Sequence, residues 1–372
     1  DIEEYYSDDY DDDESKNGSE NEADDDELKE QNKVDIKLDK QKNESNPSSC
    51  LVIDHKAQIE LSNYAFLKII GEGSFGKVYE IKDKKTGKLY AAKILHNSIS
   101  ESDKSEKINL YRELNIMSKI DHPKIVKFIG FSPTDFKKKD KPVIITEFVT
   151  NGSLSSILEQ ERNGFSPALW DDTHKLICMY GIASAMSFLH SNRIIHRDLK
   201  PANIFINDEF YPKVADFGLS KIISKDELES FVSGSKSGFR GTLIYMAPES
   251  LEKYEYSYAC DVYAYGMILY EIVTGQLPII DSIPLQIMKK VAAGERPEFV
   301  GSVPEVFKDL IERCWNQEPE KRPTFEEIVD QLKNNPKFIT DTVDENEYLN
   351  YIEYIDEYKI KYNKNRKIIS LK

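Results

Sequence analysis

The residues from His196 to Gly218 constrain the fold of this chain more than any other stretch. They read HRDLKPANIFINDEFYPKVADFG. Alternation over Ile204–Ile206 and Lys213–Ala215 predicts two brief strands, and the turn-forming residues Asn207–Pro212 between them predict a hairpin. Such a hairpin brings the side chains at its two ends into one cleft.

The two ends of this hairpin carry a distinctive set of polar groups. Asp198, Lys200 and Asn203 precede it, and Asp216 follows it. Amide and carboxylate oxygens suit Mg²⁺, which keeps waters or a substrate's phosphates as its other ligands. Asn203 and Asp216 are therefore predicted magnesium ligands, and Asp198 is left to orient an attacking hydroxyl. Together these groups meet the needs of phosphoryl transfer.

The charge of the chain is concentrated at its start. Residues 1–30 hold 16 acidic and two basic side chains, so the net charge of −16 falls to −2 over the rest. A nearly neutral body offers no basic surface for nucleic acid, and we expect no nucleic-acid partner.

The spacing of the cysteines and the length of the apolar runs bear on where in the cell the chain is expected to act. The four cysteines are widely separated and lack metal-ligand spacing, which favours a reducing, intracellular location, cytoplasmic or nuclear. No apolar run approaches the ~18 residues of a membrane span. Because the chain begins with Asp1 rather than Met, we expect a fragment or a processed form.

Composition divides the chain into three parts. Residues 1–55 are acidic and poor in apolar side chains, which predicts a disordered tail. Residues 60–335 read as one domain, strand-rich up to Gly152 and helical beyond it, and residues 336–372 form a C-terminal tail. The predicted strands are Ala65–Ile70, Lys77–Lys82, Lys88–Leu95, Val126–Phe131 and Pro142–Phe148, and the predicted helices are 104–120, Leu169–His190, Ala259–Thr274, Pro284–Ala293, Pro304–Cys314 and Thr324–Lys333.

A glycine-rich loop, GEGSFGKV, joins the first two predicted strands from Gly71 to Val78. Glycine lets a backbone approach phosphate oxygens closely. The pattern alone is equally typical of a plain β-turn, and a dinucleotide site needs a helix to open after Gly76. The alternation after Gly76 predicts a strand instead, which favours a loop that covers a triphosphate.

Lys93 ends the third predicted strand, where a lysine is usually a solvated residue on the outer face. Its place one hairpin after the glycine loop and its apolar flanks favour an inward side chain. The next predicted helix carries Glu113 one turn before Met117, on its inward face. A Lys93–Glu113 pair would hold Lys93 on the α- and β-phosphates, and such a pair orients more than it stabilises.

His196 follows Ile194 and Ile195, which predicts a packed position. A satisfied core histidine is favoured over a base or a metal ligand. The histidines of the chain show no HExxH spacing typical of zinc sites. We therefore expect His196 to be structural.

Several ordered motifs together resemble those of eukaryotic-type protein kinases from about residue 64 to 333. GEGSFGKV resembles the phosphate-covering loop, Ala91–Lys93 the third-strand motif, HRDLKPAN the catalytic loop and DFG the metal-binding turn. Ala247-Pro248-Glu249 resembles the end of the activation segment, with Arg322 as partner of Glu249. Asp261 resembles the buried aspartate that braces the catalytic loop. The resemblance implies an α+β, two-lobed protein kinase fold, with an ATP cleft between a small β-rich N-lobe and a larger α-helical C-lobe.

The resemblance also implies a role for each matching residue. Asp198 would orient the substrate hydroxyl, and Lys200 would hold the γ-phosphate. Asn203 and Asp216 would bind Mg²⁺, and Lys93 with Glu113 would position ATP. The other implied ATP-binding residues are Gly71, Glu72, Gly73, Ser74, Phe75 and Gly76 of the loop, the adenine contacts Val78, Ala91 and Phe205, the gatekeeper Thr146, and Glu147 and Val149 of the hinge.

The implied acceptor specificity is serine/threonine. Lys200 in HRDLKPAN and Gly241-Thr242 before the APE motif follow the serine/threonine pattern, whereas Asn151–Leu154 and Cys314-Trp315 resemble tyrosine kinases. That mixture is similar to the tyrosine-kinase-like group, whose members mostly phosphorylate Ser/Thr. Tyrosine or dual specificity is one alternative. A pseudokinase scaffold is another, which the presence of every chemical residue named above disfavours.

Arg197 precedes Asp198, and in this family such an arginine receives a phosphorylated residue of the activation segment. The segment contains Ser224, Ser230, Ser233, Ser235 and Ser237. A mobile Ser/Gly-rich loop also explains these serines, but a phosphorylation switch is favoured. The expected partners are protein substrates, ATP, and an upstream activating kinase or autophosphorylation.

The C-terminal tail carries a tyrosine every three or four residues, at Tyr348, Tyr351, Tyr354, Tyr358 and Tyr362. With the isoleucines between them, they predict an amphipathic helix. We favour a helix packed on the large lobe over a docking or phosphotyrosine segment.

Overall fold

The computed structural model describes residues 57–73, 76–96, 110–111, 114, 117–216, 243–253, 255–278, 281 and 283–369, with side chains up to Tyr358. The predicted disordered tail, residues 1–55, lies outside this set. So do Ser74, Phe75 and Glu113 of the predicted site, and residues 217–242 of the activation segment.

The first lobe is a five-stranded antiparallel sheet with the strand order β1-β2-β3-β5-β4. Its strands are β1 (Tyr64–Gly73), β2 (Gly76–Asp83), β3 (Leu89–Leu95), β4 (Phe128–Ser132) and β5 (Val143–Glu147). All five predicted strands are confirmed, with bounds that differ by a few residues. Alternate residues such as Tyr79, Ile81 and Ile145 pack into one buried layer on a single face of the sheet.

The second lobe is helical. Its helices are α1 (Leu154–Arg162), α2 (Asp172–Ser191), α3 (Pro248–Glu252), α4 (Tyr258–Thr274), α5 (Pro284–Ala292), α6 (Glu305–Cys314), α7 (Phe325–Asn334) and α8 (Glu345–Ile369). The helices predicted from periodicity in this lobe are confirmed. Helices α1 and α3 were not predicted. Helix α3 has only five residues, too few for a clear period, and α1 was missed although it is as long as the predicted α5. Among the described residues, no helix has the length and apolar character needed to cross a bilayer.

Two helices of the second lobe fix the position of the loop after α2. Helix α4 is buried over almost its whole length and ends at Gly275, whose φ of 68° is a left-handed conformation that glycine adopts at no steric cost. Asp171 caps the start of helix α2, and its carboxylate accepts the backbone N–H of His174 at 2.9 Å. The loop that leaves α2 is thus held on a rigid frame.

The predicted hairpin is present as β6 (Ile204–Ile206) and β7 (Pro212–Val214). Ile204 lies opposite Val214 in an antiparallel pair. Strand β7 begins at Pro212, one residue earlier than predicted. The side chain of Asn207 closes the turn by accepting the backbone N–H of Tyr211 at 2.8 Å. Sheet, helices and hairpin together confirm the two-lobed α+β fold.

Candidate active site

The register of the first-lobe sheet places the predicted nucleotide-binding residues on one face. Val78 pairs with Lys93, and Ala91 pairs with Thr146. Residues paired across antiparallel strands point to the same side, and residues two apart on a strand share a face. Val78, Ala91, Lys93 and Thr146 therefore share the face opposite the buried layer that contains Ala92.

Lys93 reaches from this face to the second lobe. Its Nζ lies 2.9 Å from Oδ2 of Asp216, two residues beyond β7. Asp216 has a φ of 57°, a left-handed value that aspartate tolerates better than most residues. Glu113 lies outside the described residues, so the Lys93–Glu113 pair stays a prediction.

The loop before β6 gathers its polar groups around one carboxylate. Asp198 Oδ2 lies 2.8 Å from Nζ of Lys200 and accepts Nδ2 of Asn203 at 3.0 Å. The same amide nitrogen also donates to the backbone carbonyl of Asp198 at 2.8 Å. These bonds commit the nitrogen of Asn203, so its Oδ1 is the atom that the predicted metal contact would use.

Backbone bonds bring the two predicted metal ligands together. The N–H of Ala215 donates to the carbonyl of Asn203 at 2.9 Å and so extends the hairpin ladder by one step. Asn203 therefore lies beside the residue that precedes Asp216. An amide oxygen and a carboxylate in this position fit Mg²⁺, which needs few protein ligands when phosphates supply the others.

Asp261 of α4 fixes the backbone that carries Asp198. Its carboxylate is buried, and it accepts the backbone N–H groups of His196 at 2.8 Å and Arg197 at 2.9 Å. Nε2 of His190 lies 2.9 Å from the same carboxylate. Arg197 has a φ of 70°, a strained value that persists because these bonds over-determine it. The predicted bracing role of Asp261 is confirmed.

His196 is fully buried, as expected for a structural residue. Its Nε2 lies 2.9 Å from the carbonyl oxygen of Ala215, and a carbonyl only accepts, so Nε2 carries the proton. This bond ties the loop of Asp198 to the end of β7. The predicted packed position of His196 is confirmed, but the ring is not fully satisfied, because its buried Nδ1 has no hydrogen-bond partner among the described residues.

The end of β5 meets the hairpin through side-chain and backbone bonds. Glu147 pairs with Lys213 at 2.7 Å and donates its own backbone N–H to the carbonyl of Lys127 at 2.9 Å. The N–H of Glu147 is thus committed, so the predicted adenine contact at Glu147 would fall to its carbonyl. Phe205 bridges to Ser153, which places β6 directly below the chain that follows Val149.

One buried cluster beside the site was missed by sequence reasoning. Tyr245 donates to Glu271 Oε2 at 2.6 Å, and Arg162 donates to Glu271 Oε1 at 2.7 Å. Burial raises the pKa of Glu271, against the lowering effect of Tyr245 and Arg162. Tyr245 of this cluster lines a small cavity together with Met246, Ala247 and Asp198. A glutamate inside the apolar run of α4 was the available signal.

Comparison with known proteins identifies the family. The protein kinase domain model matches residues 64–332, so the chain belongs to the protein kinase domain family. It is 33% identical over 75% of its length to serine/threonine-protein kinase STY46 of Arabidopsis thaliana, and covers 45% of that protein. It is 34% identical over 74% of its length to RGS domain-containing serine/threonine-protein kinase A of Dictyostelium discoideum, and covers 23% of it.

A third relative is serine/threonine-protein kinase TNNI3K of Rattus norvegicus. The chain is 33% identical to it over 74% of its own length and covers 32% of the relative. The chain thus spans less than two thirds of each of these relatives, and what is shared is the kinase domain.

Proposed function

We propose that this chain transfers the γ-phosphoryl group of Mg-ATP to serine and threonine hydroxyls of proteins. The observation that carries the proposal is the convergence at the hairpin, where Asp198, Lys200 and Asn203 form one hydrogen-bonded group. Asp216 enters from the other end of the hairpin with Lys93 on its carboxylate. All three relatives are named serine/threonine-protein kinases, which supports the serine/threonine acceptor over the tyrosine or dual alternative.

Each group has a distinct part in this chemistry. Asn203 Oδ1 and the carboxylate of Asp216 would hold Mg²⁺, which supplies charge neutralisation on the phosphates. Lys93 would bind the α- and β-phosphates, and Lys200 the γ-phosphate. Asp198, held by its neighbours, would orient the acceptor hydroxyl and take its proton.

The proposed adenine site lies between the two lobes. Val78 and Ala91 on the cleft face of the sheet would cover the ring from above, and Phe205 on β6 would support it from below. Thr146 on the same sheet face would act as a small gatekeeper, and the backbone of Glu147 and Val149 would meet the edge of the ring.

Regulation and setting are part of the same proposal. Arg197 would receive a phosphorylated residue of the activation segment, delivered by an upstream kinase or by autophosphorylation. The described cysteines Cys178, Cys260 and Cys314 are free and buried, which supports an intracellular, cytoplasmic or nuclear, site of action.

A peptide library with fixed Ser, Thr or Tyr acceptors tests the proposal. We expect the full chain, with Mg²⁺ and labelled ATP, to phosphorylate the Ser and Thr members and to lose this activity when the metal is chelated. Labelling of Tyr peptides alone would favour the tyrosine alternative. ATP binding without any phosphoryl transfer would favour the pseudokinase alternative.

We expect alanine substitutions at two glycines of the loop to have different effects, one on stability and the other on ATP binding. A Cβ on Gly76 would lie 2.1 Å from the carbonyl oxygen of Ile94 on β3, whereas one on Gly73 meets no described atom within 4 Å. Gly76→Ala should therefore lower the unfolding free energy by about 1–3 kcal/mol. Gly73→Ala should leave stability unchanged and raise KM for ATP, because its open space is where phosphates would approach.

Thermal unfolding and ATP titration of both variants separate the two effects. Equal losses of stability in Gly73→Ala and Gly76→Ala would contradict this assignment.

A further inference from the structure

Helix α8 lies beyond the part of the chain that matches the kinase family, which ends at residue 332. Its first turns nevertheless pack into the core of the second lobe, where Tyr348, Tyr351 and Ile355 are buried. Two of the five tyrosines in the predicted stripe, Tyr348 and Tyr351, are therefore core residues, as expected for a helix packed on the large lobe. The next turn, which carries Tyr354 and Tyr358, reaches a different part of the molecule.

That part is the loop from residue 121 to 126, which leads into β4. The hydroxyl of Tyr358 donates to the backbone carbonyl of Asp121 at 2.7 Å. The ring of Tyr358 also lies edge-on against His122, with ring centres 5.7 Å apart. The middle of α8 thus contacts the first residues of the loop directly.

A second contact encloses Lys124 of the same loop. Its Nζ lies 4.5 Å from the ring centre of Tyr351, 5.0 Å from that of Tyr354 and 4.7 Å from that of Tyr211. The residue is only 3% exposed, and burial lowers the pKa of Lys124 to about 7. Three aromatic faces replace much of the water around this ammonium group, an arrangement typical of cation–π stabilisation.

The loop in turn holds the strand that leads to Asp216. The N–H of Val214 donates to the carbonyl of Lys124, and the N–H of Val126 donates to the carbonyl of Val214, both at 2.8 Å. Val214 is fully buried and lies two residues before Asp216. A continuous set of contacts therefore runs from α8 through the loop to β7.

We propose that α8 contributes to catalysis through three positioning residues, Tyr351, Tyr354 and Tyr358. They hold the 121–126 loop, and the loop in turn fixes the position of β7 and Asp216. The proposal rests on the function proposed above for Asp216. The tyrosines of α8 lie outside the residues that the kinase family model matches, whereas Lys124 and Tyr211 lie within them.

Two matched substitutions on α8 test the proposal in the full chain. Tyr358→Phe removes the bond to the carbonyl of Asp121, and Tyr348→Phe removes an equivalent bond, at 2.9 Å, to the carbonyl of Leu332 at the end of α7. We expect Tyr358→Phe to lower kcat/KM for Mg-ATP by about threefold to tenfold, the scale of one hydrogen bond. Amide hydrogen exchange over residues 121–126 and 214–216 should speed up by a similar factor.

Tyr348→Phe should change thermal stability and leave both kcat/KM and exchange in these segments as in the wild type. Lys124→Met, which removes the ammonium but keeps a similar shape, should act in the same direction as Tyr358→Phe. Unchanged exchange in Tyr358→Phe, or equal effects of Tyr358→Phe and Tyr348→Phe on kcat/KM, would overturn the proposal. Exchange needs no activity, so a wild-type chain without phosphoryl transfer would instead overturn the proposed function.

Discussion

Asp198→Asn is expected to lower kcat by about 10²–10⁴-fold, the range for loss of a general acid–base group. The substitution keeps the size of the side chain, and its amide oxygen can still accept Nδ2 of Asn203, which now lies 3.0 Å from the carboxylate. It removes the group that we propose takes the proton of the acceptor hydroxyl. It also removes the charge that Lys200 meets at 2.8 Å. Because neither change touches Lys93 or the sheet face, affinity for Mg-ATP should remain close to that of the wild type.

Steady-state kinetics with a Ser peptide and a separate measurement of nucleotide affinity check this expectation. The matched control is Asp309→Asn, which makes the same chemical change to an exposed carboxylate that pairs with Arg313 at 2.9 Å on α6. The control should leave kcat unchanged, since exposed pairs contribute little. Wild-type kcat in Asp198→Asn would remove Asp198 from the mechanism.

The chemistry of the hairpin was predictable because it is local in sequence. Asp198, Lys200, Asn203 and Asp216 lie within one short stretch, and a single hairpin brings them together. The inward orientation of the Lys93 side chain was also predictable, because strand period and glycine-loop spacing constrain the register of β2 and β3. Secondary-structure patterns of this kind state which face of an element is apolar.

Patterns do not state which distant element meets a given face. Arg162 and Glu271 are 109 residues apart, and Tyr358 meets Asp121 across 237 residues. Such pairings depend on how helices pack in three dimensions. The contact between Lys124 and the tyrosines of α8 was missed for the same reason. The tyrosine spacing predicted a packed helix but not its partner, and Lys124 looks like an ordinary surface residue in sequence.

Three buried carboxylates take part in fixing segments of the second lobe. Asp261 holds the loop of Asp198, Glu271 holds Tyr245, and Glu249 is held by Arg322. A buried charge is costly unless it is paired, so these acids make poor general stabilisers. Their role is instead to position the chain, because each carboxylate accepts hydrogen bonds from specific groups and thereby fixes where one segment lies.

Arg322→Met is expected to lower the unfolding free energy by about 3–5 kcal/mol, the range for breaking a buried pair from one side. Nη1 and Nη2 of Arg322 donate to the two carboxylate oxygens of Glu249 at 2.6 and 2.9 Å. Further bonds at 2.9 and 2.8 Å reach the carbonyls of Ala259 and Asn316. Methionine fills similar space but leaves Glu249 buried without its cation. The additional change Glu249→Leu should therefore restore part of the loss.

The effect of Arg322→Met should shrink in acid. Burial alone would raise the pKa of Glu249, but the hydrogen bonds and charge of Arg322 outweigh burial and lower it. A carboxyl whose pKa is lower in the folded state stabilises fully above its unfolded value, about 4.3, and loses this contribution as pH falls through the folded value. Denaturant unfolding of wild type and variant at neutral and acidic pH measures the difference. The surface control Arg313→Met should cost under about 1 kcal/mol at either pH, and an Arg322→Met cost no larger than that would contradict the anchoring role of Glu249.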